Sequence, residues 1–361
     1  MTPPQNETTV ALNSQRFKIN ELQRLLTICW DRVVAHEDAK EIAVAIVRTA
    51  LQKQVPEEIL SDAVADIRMA MRRRSRLNET VRRGAIRGYN LGGMPGIAFM
   101  PLLTRKVVSL ARNHGIGVIS MTNSSAVDTL STWLLSIPRD DCIGIFVWNG
   151  GSYTTVPFGS KEPFFGTNPI SYAIPTSEEP LLLDMSTSQI PFVSLVAAIR
   201  NKRVLPNGCG LNKKGIPTSR PELIYDIVKD SDVRLLPMGG DYKGSAIMLF
   251  LEIITGALIN AKMSREATSS ESIPEEFGGI LVAIDIKTFT SPAIFKRRVT
   301  KMAKLVRSSN KAYGFNEIRL PGDGSYRREA ARRKAGIIRI SESIATELIA
   351  LSRRTVHGAK P

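Results

Sequence analysis

Apolar positions follow two regimes along the chain. In the first third they recur at helical spacing. Leu22, Leu25, Leu26, Cys29 and Val33 predict one helix, with Asn20 and Gln23 as a capping box at its start. Ile42, Ile46 and Leu51 predict a second, from Asp38 to Gln54. Pro56, Glu57 and Glu58 make a helix start that Ile59, Leu60, Ala63, Val64 and Ile67 continue. The five glycines and one proline between Gly84 and Gly96 predict a connection, after which helix resumes from Leu102 to Arg112.

The middle third changes period. Short apolar runs at Gly117 to Met121, Cys142 to Trp148, Pro169 to Ile174 and Leu181 to Asp184 are strand-sized and separated by turn residues. A single helix is expected between the first two, from Asp128 to Ile137. Beyond Pro237 the pattern returns to helix. The almost wholly apolar run Ala246 to Ala261, whose only charge is Glu252, predicts a buried helix. A strand at Ile280 to Ile286 and a basic amphipathic helix from Ala293 to Ser308 follow. Ser341 is the expected cap of a last helix carrying Ile344, Leu348 and Leu351.

At 361 residues and 43% hydrophobic content, the chain holds one large or two modest domains and is too apolar for disorder. No uninterrupted apolar run reaches the roughly 18–20 residues of a membrane span. The start, MTPPQNETTV, has no basic patch followed by an apolar stretch, so a cytoplasmic location and no membrane partner are expected. Three dispersed cysteines, Cys29, Cys142 and Cys209, suit neither a disulfide framework nor a zinc site, and no metal is expected.

The net charge of +15 is local. Residues 67–87 carry eight arginines against Glu79, and 291–339 carry 14 basic residues against Glu317, Asp323 and Glu329. Such segments suit a polyanion, either nucleic acid or the phosphates of a dinucleotide, or else form solvated helix faces. Few aromatics accompany the arginines, which argues against nucleic acid as a partner.

Several nucleotide and metal motifs are missing. No GxGxxG follows a strand, and there is no phosphate-binding P-loop and no HExxH. The only histidines are His36, His114 and His357. The first sits in a polar helix start and the last in the terminal tail. His114 occupies a helix-to-strand turn, where capping outweighs catalysis. Three polar loops adjoin strands: Asn123-Ser124-Ser125, Phe165-Gly166-Thr167-Asn168-Pro169 and Asp184-Met185-Ser186-Thr187-Ser188. Their hydroxyls, amides and backbone N–H groups suit ribose, carboxamide or phosphate, and equally suit turns and caps. Pro237-Met238-Gly239-Gly240-Asp241-Tyr242-Lys243-Gly244 leads directly into the apolar helix. It reads either as free helix-start amides forming an anion site beside a lysine or as a glycine turn.

In this order, ARNHGIGVISMTNSS, FGTNPISYAIP, LLLDMSTS, LPNGCGLNKKGIPT, LPMGGDYKGSAIMLFLEIITGAL and GGILVAIDIKTF resemble the malate/L-lactate dehydrogenase family that is unrelated to the Rossmann lactate dehydrogenases. The resemblance runs from about Leu110 to Phe289, with IRLPGDGSYRREAARRKAGI echoing a later Pro-Gly segment. FGTNPISYAIP and the KGSAIMLFLE run look closest to the branch that reduces Δ1-pyrroline-2-carboxylate and Δ1-piperideine-2-carboxylate. The resemblance implies an α/β fold: a non-Rossmann, mainly antiparallel-sheet NAD(P)-binding domain (116–235) inserted in a discontinuous helix-rich domain (1–115 and 236–361). It implies a homodimer, and a small imine or keto-acid substrate. It places Asn123, Ser124, Ser125, Thr129, Thr167, Asn168, Asp184, Met185, Ser186, Thr187, Gly240, Lys243 and Gly244 at the cofactor, with Pro321, Gly322 and Arg327 nearby. The basic surroundings favour NADP(H) over NAD(H).

The departures concern catalysis. The family carries Ser-His-Gly near the end of its amino-terminal helices, with an arginine shortly after, for the proton and the substrate carboxylate. Here Gln54 to Leu60 reads QVPEEIL. A histidine that usually follows the Asn123-Ser124 equivalent is replaced by Ser125, Ala126 and Val127, and an acidic residue expected some ten positions after Asp184 is lacking near Ser194. Substitute donors are Glu57, Glu58, Asp128 and Asp184, although the two glutamates are also ideal first-turn residues. No catalytic residue is assigned. The expected activity is NAD(P)H-dependent reduction of a cyclic imine or 2-keto acid with a non-standard proton donor. The alternative is a catalytically inactive relative that binds a ligand or partner.

Overall fold

The computed structural model describes residues 14–353, apart from 74, 126, 152, 230–231 and 267–275. Along the chain run β1 (Ser14–Lys18), α1 (Ile19–Trp30), α2 (His36–Gln52), α3 (Pro56–Arg72), β2 (Asn78–Arg83), β3 (Ile86–Asn90), α4 (Met100–His114), β4 (Ile116–Ser124), α5 (Leu130–Leu134), β5 (Cys142–Trp148), β6 (Ile170–Ile174) and β7 (Leu181–Met185). They are followed by α6 (Phe192–Arg200), β8 (Gly210–Leu211), β9 (Pro217–Thr218), α7 (Pro221–Ile224), α8 (Tyr242–Thr255), β10 (Phe277–Asp285), α9 (Pro292–Ser308), α10 (Asp323–Ala335), β11 (Ile337–Ser341) and α11 (Glu342–Arg353).

Two compact units result. One comprises the described residues of 1–75, 97–102 and 303–361, the other those of 76–96 and 103–302. The sequence reading put all of 236–361 with the helices. The structure puts 236–302 with the sheet, because β10 pairs with β4 on one side and β5 on the other.

The helical unit packs α1 on α2 and α11, and α2 on α3 and α10, with β1 and β11 as an antiparallel pair. Leu22, Leu26 and Trp30 of α1, Ile42 and Ile46 of α2, Leu60 and Ile67 of α3, and Leu348 of α11 are buried there. The first cap differs from the Asn20/Gln23 expectation. Strand β1 runs straight into α1, so Lys18 is the cap and its N–H donates to Glu21 Oε2 at 3.3 Å. Ser341 lies in β11, just before α11.

The basic side chains of α10 are used inside this unit. Arg332 donates to the carbonyls of Ala50, Leu51, Lys53 and Gln54, and Arg328 to that of Gln52. These are the carbonyls left over at the end of α2, where cations are favoured. Glu329, buried nearby, accepts from Arg48, Gln52 and Arg333, and these donors hold its carboxyl below the usual range although burial pushes it up. Arg328, Arg332 and Arg333 of the later basic segment are therefore used inside the unit.

The other unit is built on a seven-stranded mixed sheet in the order β2-β3-β4-β10-β5-β6-β7. Only β3–β4 is parallel among its described pairs; the rest are antiparallel. The fold is thus mixed α/β with a mostly antiparallel sheet. Strand β3 occupies the stretch expected to be a mere connection, since Ile86 to Asn90 is paired on both edges despite its glycines. The outer strand β2 carries Arg82 and Arg83 along its exposed edge, which guards against strand addition. One sheet face is buried through Ile119, Met121, Phe146, Leu281 and Ala283. On the other, Val147, Ile280 and Leu251 of α8 form a second cluster. A third gathers Leu195 of α6, Ile224 and Tyr225 at α7, Val233 and Leu235.

The apolar run read as a buried helix is only partly so. Tyr242–Ile259 is helical, long and apolar enough to cross a membrane by length and composition, and 33% of it is buried. Lys243 and Glu252 interrupt it.

Candidate functional site

Strand direction decides which loops meet. Because β10 is antiparallel to both β4 and β5, and β6 to both β5 and β7, strands β4, β5 and β7 point the same way. Their carboxyl ends, the start of β6 and the start of β10 therefore share one end of the sheet. The described residues of 123–129, Thr167-Asn168 and Asp184 to Thr187 all fall there; hydrogen bonds join the last two loops to each other and Asp184 to α5, which follows the first.

Asp184 Oδ2 accepts from Ser131 N at 3.2 Å and Ser131 Oγ at 2.8 Å, joining the end of β7 to the first turn of α5. Thr187 N donates to the Thr167 carbonyl at 2.9 Å, and Thr187 Oγ1 to that of Asn168 at 2.9 Å. The Thr187 carbonyl accepts from Met238 N at 2.8 Å, which brings the Pro237–Gly244 turn to the same end. Asn123 Nδ2 donates to Asn90 Oδ1 at 3.1 Å beyond β3, and Ser124 Oγ to the Met94 carbonyl at 3.2 Å. Asn123, Asp128 and Asn168 adopt left-handed backbone conformations at φ 56°, 56° and 37°. Strained positions of this kind gather where a loop must present groups in fixed directions.

Beneath these loops lies a polar knot that the sequence reading missed. Glu252 of α8 is 2% exposed. It accepts from Asn168 Nδ2 at 2.8 Å, Asn149 Nδ2 at 3.4 Å, Ser264 N at 2.5 Å and Ser264 Oγ at 3.0 Å. Asn149, Asn168 and Ser264 are all fully buried. Asn168 Oδ1 in turn accepts from Gly150 N at 3.1 Å. The available signal was Glu252 itself, the sole acid in an apolar helix. Such a residue must find donors on folding.

The start of α8 corrects one expectation. The Lys243 and Gly244 amides are not free for an anion, because the Asp241 carboxylate caps both at 3.0 and 3.3 Å. Lys243 is exposed and its Nζ stands 6.0 Å from the Tyr242 ring centroid. Gly244 is a packing glycine, where a Cβ would run into the Met238 carbonyl. Gly240 has φ 68° and open space around it.

The remaining predicted residues are placed as follows. Met185 and Ser186 are half-buried at the end of β7, and Thr129 precedes α5. Ser125 Oγ is buried without a hydrogen-bond partner. Ala126 lies outside the described residues. Pro321, Gly322 and Arg327 belong to the helical unit. There Arg327 forks onto Glu317 at 2.6 and 2.9 Å, and with Arg319 holds that carboxyl down at about 2. Glu57 and Glu58 stand in the first turn of α3. His36 pairs with Asp31 at 3.0 Å in the helical unit, His114 ends α4 and leads into the start of β4, at the opposite end of the sheet from these loops, and His357 lies outside the described residues. A recess of about 440 Å³ lined by Tyr153, Lys161, Lys213, Arg234 and Arg265 holds none of the predicted site residues.

A dinucleotide has ribose hydroxyls, a carboxamide and phosphates to satisfy. The sheet-end loops fit it on two counts: Ser125 offers an orphaned hydroxyl, and the backbone is closely packed. At Gly150 a Cβ would collide with the amides of Thr167 and Asn168. Among the described residues no cluster of His, Cys, Asp and Glu could hold a metal.

Comparison with known proteins converges on one group. A family profile described as malate/L-lactate dehydrogenase matches residues 60–349. A malate dehydrogenase of Pyrococcus abyssi is 30% identical over 269 residues, 73% of this chain and 71% of that protein. A Δ1-pyrroline-2-carboxylate/Δ1-piperideine-2-carboxylate reductase of Pseudomonas syringae pv. tomato is 29% identical over 64% of this chain and 65% of its own. In fold, malate dehydrogenase from Entamoeba histolytica superposes with a TM-score of 0.83 at 21% identity, covering 94% of this chain and 97% of that one.

Proposed function

The chain belongs to the malate/L-lactate dehydrogenase family and is an oxidoreductase, and from that premise we propose that it reduces a small cyclic imino acid or 2-keto acid with NADPH in preference to NADH. The observation that supports this most is the convergence of the Asn123–Thr129, Thr167–Asn168 and Asp184–Thr187 loops at one end of the sheet, cross-tied through Ser131, Thr187 and Met238. Bound nicotinamide supplies the hydride. The chain's own task is to hold the dinucleotide rigidly, and the cross-ties serve that. Ser125, Thr129 and Ser186 offer polar groups towards ribose and carboxamide, while the Asn123 amide and the buried Ser124 and Thr187 hold the loops in place. Met185 lines the same end of the sheet.

Protonation is the harder part. An imine or carbonyl accepting hydride needs a proton from an acid of suitable pKa. The sheet unit's one described histidine, His114, stands at the other end of the sheet, and QVPEEIL supplies none at the amino-terminal helices. A cyclic imine that arrives as its iminium already carries that proton, so this substrate class removes the need for an enzymatic acid. That favours the imino acids over the keto acids. A homodimer is part of the same reading.

Titration of the purified chain against NADPH and NADH by nucleotide fluorescence, followed by turnover assays with cyclic imino acids and 2-keto acids, tests the proposal. Binding of NADPH with turnover of an imino acid is expected. Binding without turnover of either class would leave a ligand-binding relative instead.

A further inference from the structure

The recess of about 440 Å³ at Tyr153 lies within the sheet unit, and none of its residues belongs to the loops gathered at the sheet end. Four cations reach it from four separate segments. Lys161 lies between β5 and β6, Lys213 between β8 and β9, Arg234 between α7 and α8, and Arg265 ahead of β10. Glu162 and Asp232 line it too, so four cations less two acids leave an excess of two positive charges.

The chain holds these groups in place. Burial alternates along residues 232–235: Val233 and Leu235 turn into the apolar cluster with Leu195, so Asp232 and Arg234 face the other way. The Arg234 guanidinium donates to the Asp232 carbonyl at 2.9 Å and carboxylate at 3.1 Å, and its side chain is only 12% exposed. Arg265 lies against the rings of Tyr153 and Phe164 at 5.5 and 5.2 Å, and donates to the Pro163 carbonyl at 2.9 Å. Lys213 sits in a turn fixed by Asn212, whose Oδ1 accepts from Lys214 N at 2.9 Å and Ile216 N at 3.1 Å. Gly215 closes that turn at φ 82°, and a Cβ there would stand 3.2 Å from the Lys161 Cβ, so the two lysine-bearing loops lie against each other. Among the described residues neither Lys161 nor Lys213 pairs with a carboxylate. Like charges gathered in this way repel unless an anion enters between them.

We propose that this recess binds a small molecule through a phosphate monoester group. Charge is the first reason, because a monoester carries about −1.5 to −2 near neutral pH and meets the excess of two. Shape is the second. Three phosphate oxygens accept from donors placed around them, whereas a carboxylate offers two oxygens in one plane. The cations here converge from separate segments, as the first case needs. Free donors are the third reason. A guanidinium has five N–H groups, and the bonds above use two on Arg234 and one on Arg265. The Tyr153 ring, 38% exposed, is left as an aromatic wall for the carbon skeleton.

The recess is independent of the reductase reading. Its test is isothermal titration calorimetry of the full chain with phenyl phosphate, inorganic phosphate and succinate at matched ionic strength. Phenyl phosphate is expected to fill one saturable site with a dissociation constant below about 1 mM, tighter than inorganic phosphate and than succinate. Lys161→Ala combined with Lys213→Ala is expected to weaken it at least about tenfold with unchanged far-UV circular dichroism, since both side chains are exposed. Lys311→Ala, at an exposed lysine of the helical unit, is expected to bind as the wild type does. No saturable binding, succinate binding as tight as phenyl phosphate, a double variant that binds like wild type, or equal weakening by Lys311→Ala would overturn the proposal. NADPH fluorescence titration of the double variant is expected to match that of the wild type. Loss of NADPH affinity together with phenyl phosphate would put the phosphate in the dinucleotide site and overturn the proposal as well. A wild type that binds phenyl phosphate but no nucleotide would sink the reductase reading alone, so the two failures are distinguishable.

Discussion

Glu252 carries most of the local order at the sheet-end loops. A carboxylate this deeply buried is tolerated only when its oxygens are fully supplied with donors, and here Asn149, Asn168 and Ser264 supply them. Glu252→Gln keeps the shape but replaces an acceptor with an amide that faces donors. It should cost about 1–3 kcal/mol of stability in urea denaturation and weaken nucleotide binding, since Asn168 is held by the same carboxylate. An unchanged midpoint would remove the knot from this account. Glu317 gives a pH-dependent counterpart. Its carboxyl is held down at about 2 by Arg327 and Arg319, below the ordinary 4.5. Its pairing therefore contributes above pH 4.5 and fades as pH falls towards 2. The difference in melting temperature between wild type and Glu317→Gln should be small, as befits an exposed pair, and should close over that acidic window.

At the scale of elements, the ends of helices decide more than their middles. Arg332 gathers the carbonyls of Ala50 and Leu51 at the end of α2 and of Lys53 and Gln54 just beyond it. Arg332→Ala should lower stability by about 1–3 kcal/mol and speed hydrogen exchange most in the last turn of α2, and uniform exchange along α2 would contradict the capping role. At the head of α8, Gly244→Ala should destabilise the chain and impair nucleotide binding together, because the added methyl meets the Met238 carbonyl in the turn tied to Thr187. Equilibrium unfolding and fluorescence titration of the same variant check both effects. Periodicity gave most elements legibly: β5 at Cys142–Trp148, α3 at Pro56 and β6 with β7 were readable because apolar spacing and turn residues agree there. What stayed hidden depends on long-range contacts. Strand β3 is a strand only because β2 and β4 flank it, and α10 is so polar that no apolar stripe announces it. The polar loops of the candidate site were legible as motifs, but Ser131 and Ser264, which complete the ties to Asp184 and Glu252, have no spacing signal in the chain.

At the scale of the whole molecule, the +15 charge first pointed to a polyanion. A good part of it is used internally: Arg328, Arg332 and Arg333 serve α2 and Glu329, and Arg82 and Arg87 stand at Glu79. The central proposal is that the loops at one end of the sheet are a working dinucleotide site, with QVPEEIL at Gln54–Leu60 where the resemblance leads one to expect Ser-His-Gly. Fluorescence titration with NADPH and NADH tests it most directly. The account predicts saturable binding, tighter for NADPH and weakened by Glu252→Gln. No binding of either nucleotide to the folded chain would contradict it.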